Sequence, residues 1–251
     1  MAMALNLLQG QQSEWALLRR HHTETTFGVQ ICGAHVDVMT RCAQMLAENV
    51  DVDFVDINMG CPLDLVYQKG AGSGLIGRLN KLEEIVVGMS SVLDVPLTVK
   101  MRKGIHDNKN TAHSVINRIK QLGERVALIT LHGRSREQRY TKLADWEYIN
   151  YCAKEADPIP LFGNGDILSF EDANLHKQNT NICGIMIARY VNIKPWIFYC
   201  FDSSVLFFVR YVNIKLRIFT VLTLVFWFFV RYVNIKPWIF YCFDSSVLFF
   251  C

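Results

Sequence analysis

The cysteine at position 61 is the residue of this sequence best placed for chemistry. It follows the apolar run Val52–Ile57, which predicts a buried strand, and it stands in the segment Asn58-Met59-Gly60-Cys61-Pro62, where Gly and Pro end regular structure. A thiol at the C-terminal tip of a parallel strand occupies the position where α/β barrels keep their reactive groups. From the residue type alone, a buried structural cysteine in a tight turn is an equal alternative.

Polar side chains also stand at the ends of the other apolar runs. They are Gln30 after the first run, Lys100 and Arg102 after the third, His132-Gly133-Arg134 after the fourth, Asn164-Gly165-Asp166 after the fifth and Arg189 after the sixth. Any one of them could be an ordinary strand-end residue, but six ends in succession are harder to explain in that way. In a barrel they would converge on one mouth and supply amide hydrogen bonds and cations for phosphate.

Six apolar runs alternate with helical patterns, and this alternation predicts the fold class. The runs are Phe27–Ile31, Val52–Ile57, Val95–Lys100, Val126–Leu131, Ile159–Phe162 and Ile182–Ala188. Helix faces are predicted at Val38/Cys42/Met45/Leu46, Leu82/Ile85/Val86/Met89, Ala112/Val115/Ile116/Ile119 and Trp146/Ile149/Ala153, with Ser169 capping a further helix. Strand–helix units of about 30 residues indicate an α/β fold with a parallel sheet. An open doubly wound sheet and a closed barrel both fit, and the polar strand ends favour the barrel.

The composition places few limits on function. The formal net charge is +3, so nucleic-acid binding is permitted but not indicated. The eight cysteines include no CxxC pair and none lies near a His at zinc-ligand spacing, so neither a metal site nor a disulfide framework is predicted. We therefore expect a reducing compartment, the cytoplasm with the nucleus as a second location. The N-terminus lacks the charged start and long apolar run of a secretory signal.

The last part of the chain is a repeat. Residues 189–209, 210–230 and 231–251 form three 21-residue copies, and the middle copy diverges into an aromatic and aliphatic stretch. Its apolar run, Ile218–Val230, has 13 residues, fewer than the ~20 that span a bilayer. We expect this tail, residues 190–251, to self-associate or to lie on a membrane surface rather than to form a working domain.

Several motifs, taken in order, resemble the tRNA-dihydrouridine synthases, most closely the eukaryotic branch that modifies the variable-loop region of tRNA. The motifs are DINMGCP with the glycine-rich loop after it, LTVKMR, LITLHGRSREQRYTKLADW, PLFGNGDI and GIMIAR. The resemblance runs from Met1 to about Phe198 and implies an FMN-dependent (β/α)8 TIM barrel over residues 1–189. It also implies that NADPH or NADH is the hydride donor. The implied substrate is tRNA, with mRNA as a further candidate.

The resemblance also implies roles for individual residues. Cys61 would protonate C5 of the uracil, which suits a thiol because its ordinary pKa of about 8.5 leaves it protonated near neutral pH. Contacts to the flavin ring or its ribityl chain are implied for Gln30, Lys100 and His132. Ribityl and phosphate contacts are implied for Asn164, Gly165, Asp166, Ala188 and Arg189. Contacts to the RNA backbone are implied for Arg134, Arg136, Arg139 and Lys142, which are interleaved with Tyr140.

The sequence departs from the family pattern at both ends. The first barrel strand and part of the second are expected to be missing, so the barrel is expected to be incomplete. Tyr190 replaces a glycine after the last Ala-Arg, and the repeats replace the family's C-terminal helical domain. One alternative is therefore an inactive product that binds RNA or protein weakly. Another is a flavin barrel of the dihydroorotate dehydrogenase type, which the DINMGCP and HGRSREQRY segments disfavour.

Overall fold

The computed structural model describes residues 1–22 and 24–188, and these contain one parallel sheet. The strands pair in chain order, each parallel to the next. A doubly wound sheet reverses its strand order at a switch point, whereas sequential order is typical of a (β/α) barrel. The predicted α/β barrel class is thus confirmed. The strands are β1 Ala2–Met3, β2 Gly28–Cys32, β3 Phe54–Met59, β4 Leu97–Arg102, β5 Leu128–His132, β6 Leu161–Asn164 and β7 Gly184–Met186.

Helices connect the strands and bury one face each. They are α1 Ala4–Leu8, α2 Gln12–Trp15, α3 Val36–Asn49, α4 Asp64–Gln68, α5 Leu79–Ser90, α6 Ala112–Lys120, α7 Trp146–Ala156 and α8 Phe170–Asn179, with short 3-10 helices at Ala16–Leu18 and Gly72–Gly77. The predicted faces of α5 and α6 are buried as expected. The Ser169 hydroxyl accepts the Asp172 N–H at 3.0 Å, which confirms the predicted cap of α8.

The buried face of α3 differs from the prediction. Cys42 and Leu46 are buried as predicted, but Met39 and Ala43 take the places expected for Val38 and Met45, which are half-buried. The helices α1 and α5 both contact α3, and a single apolar stripe in the sequence cannot show where two neighbours meet.

Alternate residues of the strands have opposite characters. Apolar residues such as Ile57 and Val99 belong to the same core cluster as the buried helix faces. The residues between them are polar and buried on the other side of the sheet. Pairing register arranges these polar residues in layers: Gln30, Asp56 and Thr98, then Asn58, Lys100 and Thr130, then Arg102, His132 and Asn164.

The sheet ends at β1 and β7 as far as the structure describes the chain. Within residues 1–22 and 24–188 no pairing joins β7 to the two-residue β1, and the predicted incompleteness of the barrel stays a prediction. Arg189, Tyr190 and the three repeats lie outside the described residues, so the predictions made for them stay predictions. Among the helices that are described, none has the length and apolar character needed to cross a membrane.

Candidate active site at the carboxyl ends of the strands

Four side chains of β2, β3 and β4 form what we call the amide network: Gln30, Asp56, Asn58 and Thr98. Gln30 Nε2 donates to one oxygen of Asp56 at 2.6 Å, and Thr98 Oγ1 donates to the other at 2.6 Å. Asn58 Nδ2 donates to Gln30 Oε1 at 2.6 Å. Adjacent strands hold these residues side by side in register, so a continuous hydrogen-bonded chain crosses the sheet.

The amide network ends on the backbone of the Cys61 loop. Asn58 Oδ1 accepts the Gly60 N–H at 3.1 Å and the Cys61 N–H at 2.9 Å, which forms an Asx-type turn. Asn58 can do this because it is the penultimate residue of β3 and its side chain points to the polar face. The turn therefore sets the position of Cys61 relative to the strand.

Burial raises the pKa of the Asp56 carboxyl from 3.8 to about 6. Desolvation is the largest cause, because the carboxylate loses its hydration inside the sheet. Hydrogen bonds from Gln30 and Thr98 and the charge of Lys100 act in the opposite direction and favour the ionised form. Asp56 is therefore a buried acid that titrates near neutral pH.

Cys61 is fully buried against the glycine-rich loop that follows it. The Ser73 N–H and hydroxyl both donate to the Cys61 carbonyl, at 3.1 and 2.8 Å. Gly72 has a positive φ of 56°, and a Cβ there would lie 3.0 Å from the Cys61 Cβ, so the loop passes this close only with glycine. Burial, together with the neighbouring Cys61, raises the pKa of the Cys32 thiol to about 12. Cys61 itself has no exposed surface among the described residues.

Two buried cations, Lys100 and Arg102, point to the polar face from β4. Arg102 Nε donates to the Gly60 carbonyl at 2.7 Å and Nη1 donates to the Ser135 carbonyl at 3.0 Å. Its Nη2 atom is buried with no hydrogen-bond partner within the described residues. Burial lowers the pKa of Arg102, but an arginine so placed remains charged. These donors suit an anionic or carbonyl-bearing ligand.

On the other side of the mouth lies a guanidinium cluster, consisting of Arg134, Asp166 and His132. Arg134 Nη2 binds both oxygens of Asp166, at 2.5 and 2.6 Å, and its Nη1 lies 3.3 Å from His132 Nε2. Asp166 also accepts the Ala144 N–H at 2.7 Å. Its positive φ of 53° and the φ of 128° at Gly165 turn the chain sharply after β6.

The structure places Arg134 differently from the prediction. We expected it to face RNA with the other basic residues of its segment, but only 3% of its side chain is exposed and its guanidinium is paired with Asp166. An ion pair with a residue 32 positions later is invisible in a local charge pattern, which is why the sequence suggested a surface role. Arg134 belongs to the interior of the mouth.

Of the other three basic residues, Arg139 and Lys142 lie at the surface, whereas only 17% of the Arg136 side chain is exposed. The Arg136 guanidinium stacks 3.8 Å above the Tyr67 ring centre and pairs with Asp64. Arg139 lies 3.6 Å from the same carboxylate, and Lys142 pairs with Asp107 at 2.5 Å. Arg139 and Lys142 are more than half exposed, so they are accessible to a polyanion. The paired carboxylates would compete with phosphates for them.

The remaining predicted residues lie at the ends of the later strands. Asn164 ends β6, and its Nδ2 donates to the Met186 carbonyl of β7 at 2.7 Å. Ala188, half-buried, is the last described residue, and Arg189 lies outside the described part of the chain. Cys61, His132, Asn164 and Gly165 thus stand at or just beyond the carboxyl ends of β3, β5 and β6. Gln30 is instead the middle residue of β2, and Lys100 lies two residues before the end of β4, so the apolar runs that they were expected to end continue as strand.

The sequence did not predict a site role for Asp56 or Thr98, nor that Arg102 would join the Gly60 and Ser135 carbonyls. Asp56 was included in a buried apolar run, although its period-two spacing with Asn58 marks the polar face. The same spacing joins Thr98, Lys100 and Arg102 in β4. This alternation was the available signal, and it becomes readable once the two faces of the strands are separated.

Comparison with known sequences identifies a family for most of the chain. The family model described as Dihydrouridine synthase (Dus) matches residues 1–207. Curated relatives named tRNA-dihydrouridine(47) synthase NAD(P)(+)-like are 63% identical in Xenopus laevis and 61% in Homo sapiens, each over 198 residues, and 48% over 200 residues in Arabidopsis thaliana. Each match covers 79% of this chain but only 29–30% of the relative, so the chain spans less than a third of their length.

Comparison with solved structures supports the fold. The crystal structure of a phosphonopyruvate hydrolase complex with oxalate and Mg++ superposes with a TM-score of 0.51 at 13% identity. The match covers 84% of this chain and 72% of the hydrolase. At this level of identity the similarity concerns the arrangement of strands and helices alone.

Proposed function

The chain belongs to the dihydrouridine synthase family, and on this basis we propose that it reduces a uridine of tRNA to 5,6-dihydrouridine with FMN and NADPH or NADH. The observation that carries the proposal is the position of Cys61. Its thiol lies beyond β3, in a turn held by Asn58 and flanked by the buried cations of β4. The match covers only 30% of the Xenopus laevis relative, so the activity of the chain itself has to be measured.

Reduction of the uracil C5–C6 double bond needs one hydride donor and one acid. FMN, when bound, would supply the hydride that C6 accepts and would regain it from the nicotinamide. Cys61 would donate its S–H proton to C5, and the resulting thiolate would recover a proton from water. A thiol suits this step because it is protonated near neutral pH but releases its proton more readily than a hydroxyl does.

The residues of the mouth fit a flavin mononucleotide. Lys100 and the Nη2 atom of Arg102 are buried donors, and Arg102 Nη2 has no acceptor in the described residues. Gln30, Lys100 and His132 would contact the ring. The ribityl and phosphate groups would be held by Asn164, Gly165, Asp166, Ala188 and Arg189.

We also propose that RNA approaches across Arg136, Arg139 and Lys142, of which Arg139 and Lys142 are exposed and Arg136 is largely buried. Tyr67, stacked under Arg136, offers an aromatic plane next to this charge. Backbone phosphates would displace Asp64 and Asp107 from their partners, which makes the interaction dependent on salt concentration.

The direct test is to purify the 251-residue chain, record its flavin absorbance and incubate it with NADPH and unmodified tRNA. The proposal predicts bound FMN and a mass gain of two hydrogens at uridine. If the chain bound FMN fully but formed no dihydrouridine, it would be a flavin-binding protein without the proposed activity. A colourless, folded chain that FMN does not bind would contradict the proposal, and the inactive alternative would then hold.

A further inference from the structure

We propose that Asp56 is a positioning residue, which sets the orientation of the Gln30 and Asn58 amides and thereby holds the backbone of the Cys61 loop. Its catalytic consequence rests on the proposed function, because that function makes Cys61 the proton donor. The hydrogen-bond relay itself depends only on the contacts of the described residues.

The relay has a direction because an ionised carboxylate can only accept hydrogen bonds. Gln30 must therefore turn its NH2 group to Asp56, which leaves its oxygen facing Asn58. Asn58 must in turn present its NH2 group to Gln30, and its own oxygen is then free to accept from the loop. Each amide orientation follows from the previous one.

Reversal of this order would detach the loop. If Asp56 no longer accepted from Gln30, the Gln30 amide could turn and present its NH2 group to Asn58. Asn58 would then present its own NH2 group to the Gly60 and Cys61 N–H groups, so that donors would face donors. The turn that positions Cys61 would lose both of its side-chain bonds.

Thr98 provides an internal control for this argument. Its hydroxyl donates to the second oxygen of Asp56, but no described contact of Thr98 leads toward Asn58. Thr98→Val therefore removes one bond from the carboxylate and leaves the relay to Cys61 in place. It should also raise the pKa of Asp56, because the lost bond favours the ionised form.

Other groups near Asp56 must be separated from it in a titration. From β4, Lys100 faces the carboxylate, and the α-amino group of Met1 also acts on it; both favour ionisation. The contacts from β2 and from Thr98 are neutral. His132 is the histidine on this face of the sheet, and it lies two layers above Asp56.

The test is a titration of the full chain, followed through the backbone amide resonances of Gly60 and Cys61 in amide nitrogen–proton NMR spectra. In the wild type these resonances should shift together with a midpoint near the Asp56 pKa of about 6. Thr98→Val should move that midpoint upward, and Asp56→Leu should abolish the shift. Resonances that do not respond, or whose midpoint Thr98→Val leaves unchanged, would overturn the proposal. If Asp56→Leu does not fold, the wild type and Thr98→Val still decide the question.

A rate measurement then connects the relay to the reaction. At a pH where Asp56 is ionised, Asp56→Leu should lower kcat for uridine reduction by roughly ten- to a hundredfold and change KM for tRNA little, because a misplaced acid slows the chemical step. Thr40→Val, a matched threonine change in α3 and outside the mouth, should stay near the wild-type rate. Equal losses in both variants would overturn the positioning role. A wild-type chain without uridine reduction would contradict the proposed function but not the relay, which the NMR titration tests separately.

Discussion

The two sides of the mouth each hold a carboxylate, Asp56 buried and Asp166 partly exposed, and they stabilise it in different ways. In the amide network, Asp56 is bound by the neutral donors of Gln30 and Thr98, and its pKa rises to about 6. In the guanidinium cluster, Asp166 is bound through both oxygens by Arg134. Neutral donors compensate only part of the lost hydration, whereas a bidentate guanidinium supplies an opposite charge as well. The first side can therefore respond to pH, while the second is held by an ion pair.

Removal of Arg134 should have the largest effect on stability. Arg134→Met leaves Asp166 without its cation, and breaking a buried pair by removing one partner costs about 3–5 kcal/mol. Chemical denaturation of the full chain would measure the loss. Arg118→Met is the matched control, because Arg118 pairs with Glu83 at 3.0 Å but both side chains are more than a third exposed. A loss in Arg134→Met no greater than in this control would remove the contrast between the two sides.

The substitution Asp56→Asn, which removes the charge of Asp56, should change the free energy of unfolding in the opposite direction to Arg134→Met. The folded state raises the pKa of Asp56 from 3.8 to about 6, so between these pH values the unfolded chain ionises while the folded chain stays protonated. The contribution of Asp56 to the free energy of unfolding therefore falls by up to about 3 kcal/mol as pH rises from about 4 to 6. Above pH 6 it is constant. Relative to Asp56→Asn, the wild type should lose stability over this range. Parallel stability–pH curves for the two proteins would contradict the account.

A change at the exposed rim should have the smallest effect on stability. Arg139 is half exposed and lies 3.6 Å from Asp64, so Arg139→Gln should alter stability by no more than about 0.5 kcal/mol. If it contacts a phosphate, the salt dependence of tRNA binding should fall by about one unit of slope. Arg41→Gln, which removes an exposed cation from α3, should leave that slope unchanged. If the salt dependence of tRNA binding had the same slope in Arg139→Gln and Arg41→Gln, the RNA would not contact Arg139.

The difference between the two sides also explains what the sequence could predict. Strand–helix alternation is a local pattern, so the six longer strands and the faces of α5 and α6 were predictable. The strand-end residues were predictable as a set because all parallel strands end at one edge. Their partners were not, since Arg134 meets Asp166 across 32 positions and Asp56 meets Thr98 across 42. Such pairs become visible only when register is known, and for that reason Arg134 was assigned to the surface.

Cys61 and Cys32 offer the most direct test of the account, because both thiols are buried in one small cluster and only one is proposed to react. The measurement is dihydrouridine formation in a single turnover, starting from the chain loaded with reduced flavin, for Cys61→Ala and Cys32→Ala. Loss of a positioned general acid should slow the Cys61 variant by about 10²–10⁴-fold without loss of flavin. Cys32→Ala should react at close to the wild-type rate. Equal rates in the two variants, or loss of flavin from Cys61→Ala, would show that Cys61 is a structural residue and not the proton donor.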